Sequence, residues 1–233
     1  MKNKQTDNKF IYDLVGQDVF DNFNSFIFSP DKKILGKLQS KQFFCQLTKH
    51  VPGDIVELGV FKGSGLVAWL KTLEFSDPAG KQVIGFDSFD HKALVETINT
   101  RDKSTMNDLF EKRIFNNKGY EVTLANMLES IGYTGEKYKL IAGNIQSTLK
   151  TFLEVNPGFR ASIINFDLDL EEPTEYALNM LWSRIPRGGA AIFDEYGVHK
   201  WTESNAVDRF VEKNNLTLIR TPWHAPTAYI IKS

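Results

Sequence analysis

Short apolar runs rich in Val, Ile and Phe recur along the chain and alternate with segments whose apolar residues return at helical spacing. Buried parallel strands alternating with covering helices produce this pattern, so an α/β protein with a mainly parallel sheet is expected. Strands are predicted over residues 54–58, 82–87, 139–142, 161–167, 190–194, 216–220 and 228–231, with helices between most of them. Ser64 can cap a helix over 65–73, and Pro173 suits the first turn of one over 174–184. Gly188 and Gly189 then permit a tight return into the next strand, and Val207, Phe210 and Val211 place a helix over 203–213. Only TPWHAPT joins the last two strands, whereas parallel neighbours need a crossover of about a dozen residues. Those two strands should therefore form an antiparallel hairpin at the sheet edge. The expected fold is a Rossmann-like, doubly wound, seven-stranded sheet.

Two regions fall outside this alternation. Residues 1–50 hold Phe20, Phe23, Phe26 and Phe28 and then a helix-like stretch over 40–50, which reads as a helical N-terminal extension or lid. Residues 91–135 carry helix-like segments over 105–115 and 121–130, more than a connection requires, and read as an insertion that covers substrate. The Phe cluster is expected to serve core or subunit packing rather than an aromatic substrate cradle. The rest, 51–233, reads as one domain.

Composition narrows the class. A chain of 233 residues that is 42% hydrophobic can bury a sizeable single core. With 28 basic against 29 acidic residues, it carries no field that would attract nucleic acid. The lone Cys45 can form neither an internal disulfide nor a zinc site, in keeping with a reducing, cytoplasmic setting. No apolar run approaches the roughly 20 residues of a membrane span, so neither insertion nor export is expected.

Candidate chemistry lies at the predicted strand ends. The first strand runs into Glu57-Leu58-Gly59-Val60-Phe61-Lys62-Gly63-Ser64-Gly65 and a helix, the turn where an open parallel sheet meets a ligand. The glycines fall at 59, 63 and 65, not in the G-x-G-x-x-G spacing that seats a pyrophosphate. Glu57 would repel a diphosphate and welcome a cation, which favours S-adenosylmethionine over a nicotinamide cofactor. Asp87, closing the second strand, is placed to accept from ribose hydroxyls. Asp167 and Asp169 end the fourth strand, and Asp194 and Glu195 end the fifth. Side by side, these carboxylates form an oxygen-only set suited to Mg²⁺, which would lower the proton affinity of an acceptor hydroxyl. The competing structural reading is that Asp167 or Asp169 caps the next helix. His199 is the candidate general base and His91 a second; His50 and His224 read as structural.

The chain resembles the macrocin O-methyltransferase family (TylF/MycF) of class I S-adenosylmethionine-dependent methyltransferases. The similar segments are VPGDIVELGVFKGSG at 51–65, VIGFDSF at 83–89, IAGNIQSTL at 141–149, NFDLDLEEPT at 165–174, RGGAAIFDEYG at 187–197 and AVDRF at 206–210. The expected strand order is 3-2-1-4-5-7-6. By position, the resemblance implies donor contacts from Glu57, Gly59, Val60, Gly63, Ser64 and Asp167. Asp87 and Ser88 would lie at the ribose and Asn144 and Ile145 at the adenine. Asp167, Asp194 and Glu195 would be the metal ligands, although better-known members carry Asp-Asp where this chain has Asp194-Glu195. The implied activity is O-methylation of a hydroxyl on a small sugar-like acceptor by a homo-oligomeric enzyme. A nicotinamide-dependent oxidoreductase and a donor-binding protein without turnover are the alternatives.

Overall fold

Among the residues described by the computed structural model (16–76, 80–113 and 118–233), seven strands form one sheet. They are β1 (Asp54–Leu58), β2 (Val83–Asp87), β3 (Tyr138–Ala142), β4 (Ala161–Phe166), β5 (Ala190–Phe193), β6 (Ile219–Arg220) and β7 (Ala228–Ile231). Their order is β3-β2-β1-β4-β5-β7-β6, as expected. The first five are parallel; β7 runs antiparallel to both β5 and β6. β7 spans the predicted residues, but β6 is shorter than predicted because Asn215, left-handed at φ 49°, ends the preceding helix and turns Leu216 and Leu218 onto the core rather than into a ladder.

Helices cover both faces. α1 (Gly16–Ile27), α2 (Lys33–Leu47) and α3 (Ser64–Ser76) precede β2. Between β2 and β3 come α4 (His91–Thr97), α5 (Thr100–Arg113) and α6 (Tyr120–Ser130), followed by α7 (Ile145–Val155), α8 (Glu171–Leu181) and α9 (Glu203–Asn214). Alternation along each strand divides the core in two. Val56, Leu58, Ile164 and Phe166 pack under Leu149, Leu178 and Val207 of α7, α8 and α9. Ile55 and Ile163 point the other way, towards Phe44 of α2 and Trp69 of α3. Each such side chain contributes about 1.5–3 kcal/mol on burial, and a one-residue slip would turn the whole set outward, so the register is strongly specified.

That register places the site. Phe86, Leu58, Phe166 and Phe193 are partners in a row across β2, β1, β4 and β5. The residues that follow them, Asp87, Gly59, Asp167 and Asp194, therefore emerge at one level. Backbone bonds extend the row: Gly59 N–H to Phe86 O at 2.8 Å, and Asp167 N–H to Leu58 O and Asp194 N–H to Phe166 O, both at 2.9 Å.

Three expectations change. α2 begins at Lys33, not near residue 40. α8 begins at Glu171, whose N–H donates to Thr202 Oγ1 at 2.9 Å; no side-chain cap comes from Asp167 or Asp169, so capping does not explain those residues. The Phe cluster on and after α1 is not core: Phe20, Phe23 and Phe28 are 60%, 58% and 87% exposed, and α1 buries no residue. The end of the helix predicted over 105–115 lies partly outside the described residues.

Candidate functional site

A cavity of about 670 Å³ opens at the C-terminal ends of the parallel strands. Of the residues singled out from the sequence, Glu57, Gly59, Val60, Ser64, Asp87, Ser88, Asn144, Ile145, Asp167, Asp169, Asp194 and Glu195 line it. Gly63 does not line it, and neither does His199, which is exposed, nor His91, whose ring lies 4.8 Å from that of Phe110.

The glycines let the loop pack closely. A Cβ on Gly59, at φ +94°, would stand 2.0 Å from the backbone oxygen of Asp167. On Gly63 it would meet Leu124 of α6 at 2.4 Å, and on Gly65 it would meet Glu57 Oε1 at 2.2 Å. The chain itself fills the space where a Cβ would stand at all three, so they allow the loop to close on the sheet, on α6 and on Glu57. Asp87 completes the loop. Its Oδ2 accepts from the N–H groups of Val60 at 2.9 Å and Phe61 at 2.8 Å, and its Oδ1 from Phe89 N–H at 2.8 Å. Phe61 and Phe89 have φ of 51° and 46°, a conformation costing about 1 kcal/mol or more for a side-chain-bearing residue, which these charge-assisted bonds offset. Asn144 caps α7, its Oδ1 accepting from Gln146 N–H at 2.8 Å.

The main group absent from the sequence reading is a stripe of lysines. Lys33, Lys37 and Lys41 recur every fourth residue on α2 and all face the cavity. Lys37 Nζ lies 2.7 Å from Asp167 Oδ2 and 2.8 Å from Asp194 Oδ2. Lys33 pairs with Glu195 and stands 3.7 Å from Asp194 Oδ2. Lys41, almost fully buried, is 3.9 Å from Glu57 Oε1 and 4.2 Å from the centroid of the Trp69 ring. Behind the cluster Glu203 is buried, its Oε1 accepting from Glu195 N–H at 3.3 Å.

Burial dominates the proton affinities. It raises Glu57 to about 7, and burial together with the like charge of Asp167 raises Asp194 to about 7. Asp169 and Glu203 rise well above their ordinary values, first from burial and then from negative charge, that of Asp167, Glu195 and Asp194 on Asp169 and that of Asp169, Asp194 and Asp167 on Glu203. Burial also opposes the charge on Asp167, yet Lys37 holds that carboxyl below its ordinary value. Lys37 in turn is raised, because Asp167 and Asp194 outweigh its own burial.

A pH dependence of stability follows. Glu57 binds its proton more tightly folded than unfolded, so its contribution is present below the ordinary carboxylate value and is lost as pH rises through about 7. The span corresponds to on the order of 3 kcal/mol. Thermal melts of the ligand-free protein between about pH 5 and pH 8 should show Tm falling with pH, and a shallower fall for Glu57→Gln. A rising Tm, or an unchanged slope in the variant, contradicts this assignment.

Two kinds of ligand can be tested against these residues. Glu57 Oε2 is buried and makes no hydrogen bond among the described residues, which fits an incoming ammonium or sulfonium. Asp167, Asp194 and Glu195 already converge on positive charge, with ammonium groups standing where a hard cation would be held; their oxygen-only chemistry fits Mg²⁺. No three acidic, His or Cys side chains among the described residues are arranged as a ready cation cage, and Lys37 lies between Asp167 and Asp194.

The remaining wall is apolar. Ile34 and Leu38 of α2, Ile98 just after α4, Met106 and Phe110 of α5, and Trp201 line it. The segment carrying α4 and α5 is tied to the main domain by Arg101 Nη2 to Glu171 Oε2 at 3.0 Å and by Thr202 Oγ1 to Asp102 Oδ2 at 3.4 Å.

Among solved structures, CalS11, a TDP-rhamnose 3'-O-methyltransferase of calicheamicin biosynthesis, superposes with a TM-score of 0.70 at 21% identity, covering 96% of this chain and 90% of that one. The O-methyltransferase NovP gives 0.68 at 22% identity, over 85% of this chain and 80% of that one. These likenesses establish a shared fold. The 8-demethyl-8-(2,3-dimethoxy-alpha-L-rhamnosyl)-tetracenomycin-C 4'-O-methyltransferase of Streptomyces olivaceus is 29% identical over 169 residues, 70% of this chain. The match spans 61% of that relative's length. The model of the macrocin O-methyltransferase (TylF) family matches residues 35–223, from within α2, including Lys37 and Lys41, through the acidic residues at the strand ends, and the chain belongs to that family.

Proposed function

We propose that the protein transfers a methyl group from S-adenosylmethionine, with assistance from Mg²⁺, to a hydroxyl of a small sugar-like acceptor, either a nucleotide-linked deoxysugar or a glycosylated metabolite. The observation that carries this reading is that one cavity joins the unsatisfied Glu57 carboxylate, the Asp167–Asp194–Glu195 cluster and an apolar wall. Glu57 and the Gly59–Ser64 loop hold the donor's amino-acid part, Asp87 and Ser88 its ribose, and Asn144 and Ile145 its adenine. Asp167, Asp194 and Glu195 hold the cation, which when bound supplies Lewis acidity towards the acceptor hydroxyl. The 91–135 insertion and the N-terminal helices cover the acceptor and exclude water from it. The hydroxyl proton passes to a cavity carboxylate, since His199 lies outside the lining.

The test is incubation with donor, Mg²⁺ and a panel of deoxysugar nucleotides and glycosylated aromatic metabolites, reading products for the mass of one added methyl. Calorimetry should show the donor binding and NAD not binding; the reverse would overturn the assignment in favour of an oxidoreductase. Donor binding with no product across the panel would mark a protein without turnover. Exposed Phe20 and Phe23 on α1 support self-association, read by light scattering of the purified chain. No helix among the described residues is long and apolar enough to cross a membrane.

A further inference from the structure

We propose that Lys37, seconded by Lys33, sets the affinity of the Asp167–Asp194–Glu195 cluster for a divalent cation by competing for the same carboxylate oxygens. The inference rests on the Mg²⁺ role proposed above and concerns what this chain has placed against it. Lys37 Nζ bridges Asp167 Oδ2 and Asp194 Oδ2 at 2.7 and 2.8 Å, and Lys33 engages Glu195. Magnesium approaches carboxylate oxygens to about 2.0–2.1 Å and tolerates little departure from octahedral geometry. An ammonium in contact with the same carboxylates takes up their lone pairs and sets its charge close to the ion, which weakens the ion's binding.

The helix that carries the lysines is held in place. Gly36 brings α2 so close to the hairpin that a Cβ there would be 3.0 Å from Trp223 Cβ and 3.1 Å from Ala225 O. Phe44 is fully buried and Cys45 nearly so, and buried Lys41 lies between Glu57 and Trp69. The Lys37 backbone therefore stays beside the cluster, and only its side chain can turn aside. Even displaced, its charge remains close enough to repel a divalent ion in a poorly screened crevice. Lys33 stands nearer the opening, with 43% of its side chain exposed against 30% for Lys37, and can retreat towards solvent. Its effect should be smaller. With no cation bound, the same lysines neutralise carboxylates whose mutual repulsion would otherwise oppose folding.

Two measurements test the proposal. Full-length wild type, Lys37→Met, Lys37→Gln, Lys37→Arg and Lys33→Met are titrated with Mn²⁺, following free Mn²⁺ by electron paramagnetic resonance in the presence of S-adenosylhomocysteine. Lys37→Met and Lys37→Gln should bind at least about tenfold more tightly than wild type. Lys33→Met should gain less, and Lys37→Arg, which keeps the charge, should stay within about threefold of wild type. In excess chelator, the two neutral Lys37 variants should melt below wild type and recover on adding Mn²⁺; Lys37→Gln keeps a hydrogen-bond donor in case Lys37→Met does not fold. Equal Mn²⁺ affinity in wild type and the neutral variants overturns the competition and leaves the Mg²⁺ role intact. A tightening in Lys37→Arg as large as in Lys37→Met also overturns it, since charge would then not be the cause. Failure of every protein to take up Mn²⁺ while S-adenosylhomocysteine still binds overturns the Mg²⁺ role and this inference together.

Discussion

Replacing Asp194 with asparagine is expected to lower kcat about 100- to 1,000-fold, the usual cost of losing one well-placed electrostatic group in a water-poor site. Asp194 is only 2% exposed and faces Lys37 at 2.8 Å and Lys33 at 3.7 Å, so the substitution removes one negative charge from a cluster that two lysines and the proposed cation share. Donor affinity should change by no more than about threefold, because the groups assigned to the donor, Glu57 and Asp87, stand on other strands. Turnover measured across a donor titration separates the two quantities. Unchanged kcat, or full wild-type activity in excess chelator, would remove Asp194 and the cation from the reaction. A proportional fall in donor affinity would instead mean that the variant distorts the whole crevice.

Gly59→Ala should be the most damaging glycine substitution for folding, costing at least about 3 kcal/mol in urea denaturation. The left-handed backbone at φ +94° disfavours any Cβ by about 1–2 kcal/mol on its own. In addition the new methyl would stand 2.0 Å from the backbone oxygen of Asp167, an atom at the end of β4 that cannot rotate away. Gly197→Ala is the matched control: its φ is +77° but nothing lies within 4 Å of the added Cβ, so about 1 kcal/mol is expected. Should the two cost the same, the close approach at Gly59 carries no energetic weight. Because Asp167 is the residue Gly59 abuts, any folded Gly59→Ala protein should also lose cation binding at the carboxylate cluster.

Much of this architecture is legible in the chain because parallel strands are buried on both faces and so appear as nearly continuous apolar runs, unbroken in β5 and broken only by Gly85 before Asp87 in β2. Asp87, Asp167 and Asp194 are legible for the same reason, being the first charged residues after such runs. α2 hides because it inverts the usual pattern. It buries Ser40 and Lys41 while leaving Ile34, Leu35, Leu38 and Leu47 substantially exposed, so no apolar stripe announces its start or marks its lysines as facing inward. Their spacing of four was the available signal, but a charge run at that spacing is ordinarily a solvated helix face. For the Phe cluster the structure decides only that it is not core, since hydrophobicity reports a preference for burial without saying against what.

The sequence by itself determined the strands, the edge hairpin and the acidic residues at the strand ends, because backbone hydrogen bonding and apolar burial act through local period and short connections; the full strand order came from the family resemblance. Only the tertiary structure decided how those acids are neutralised and what the glycines are for. Ion pairs such as Lys37–Asp167 join residues 130 positions apart, and the fit of Gly59 against Asp167 depends on two strand ends meeting. Charge and close contact act through space, and no pattern along the chain records which distant residues the fold will bring within reach.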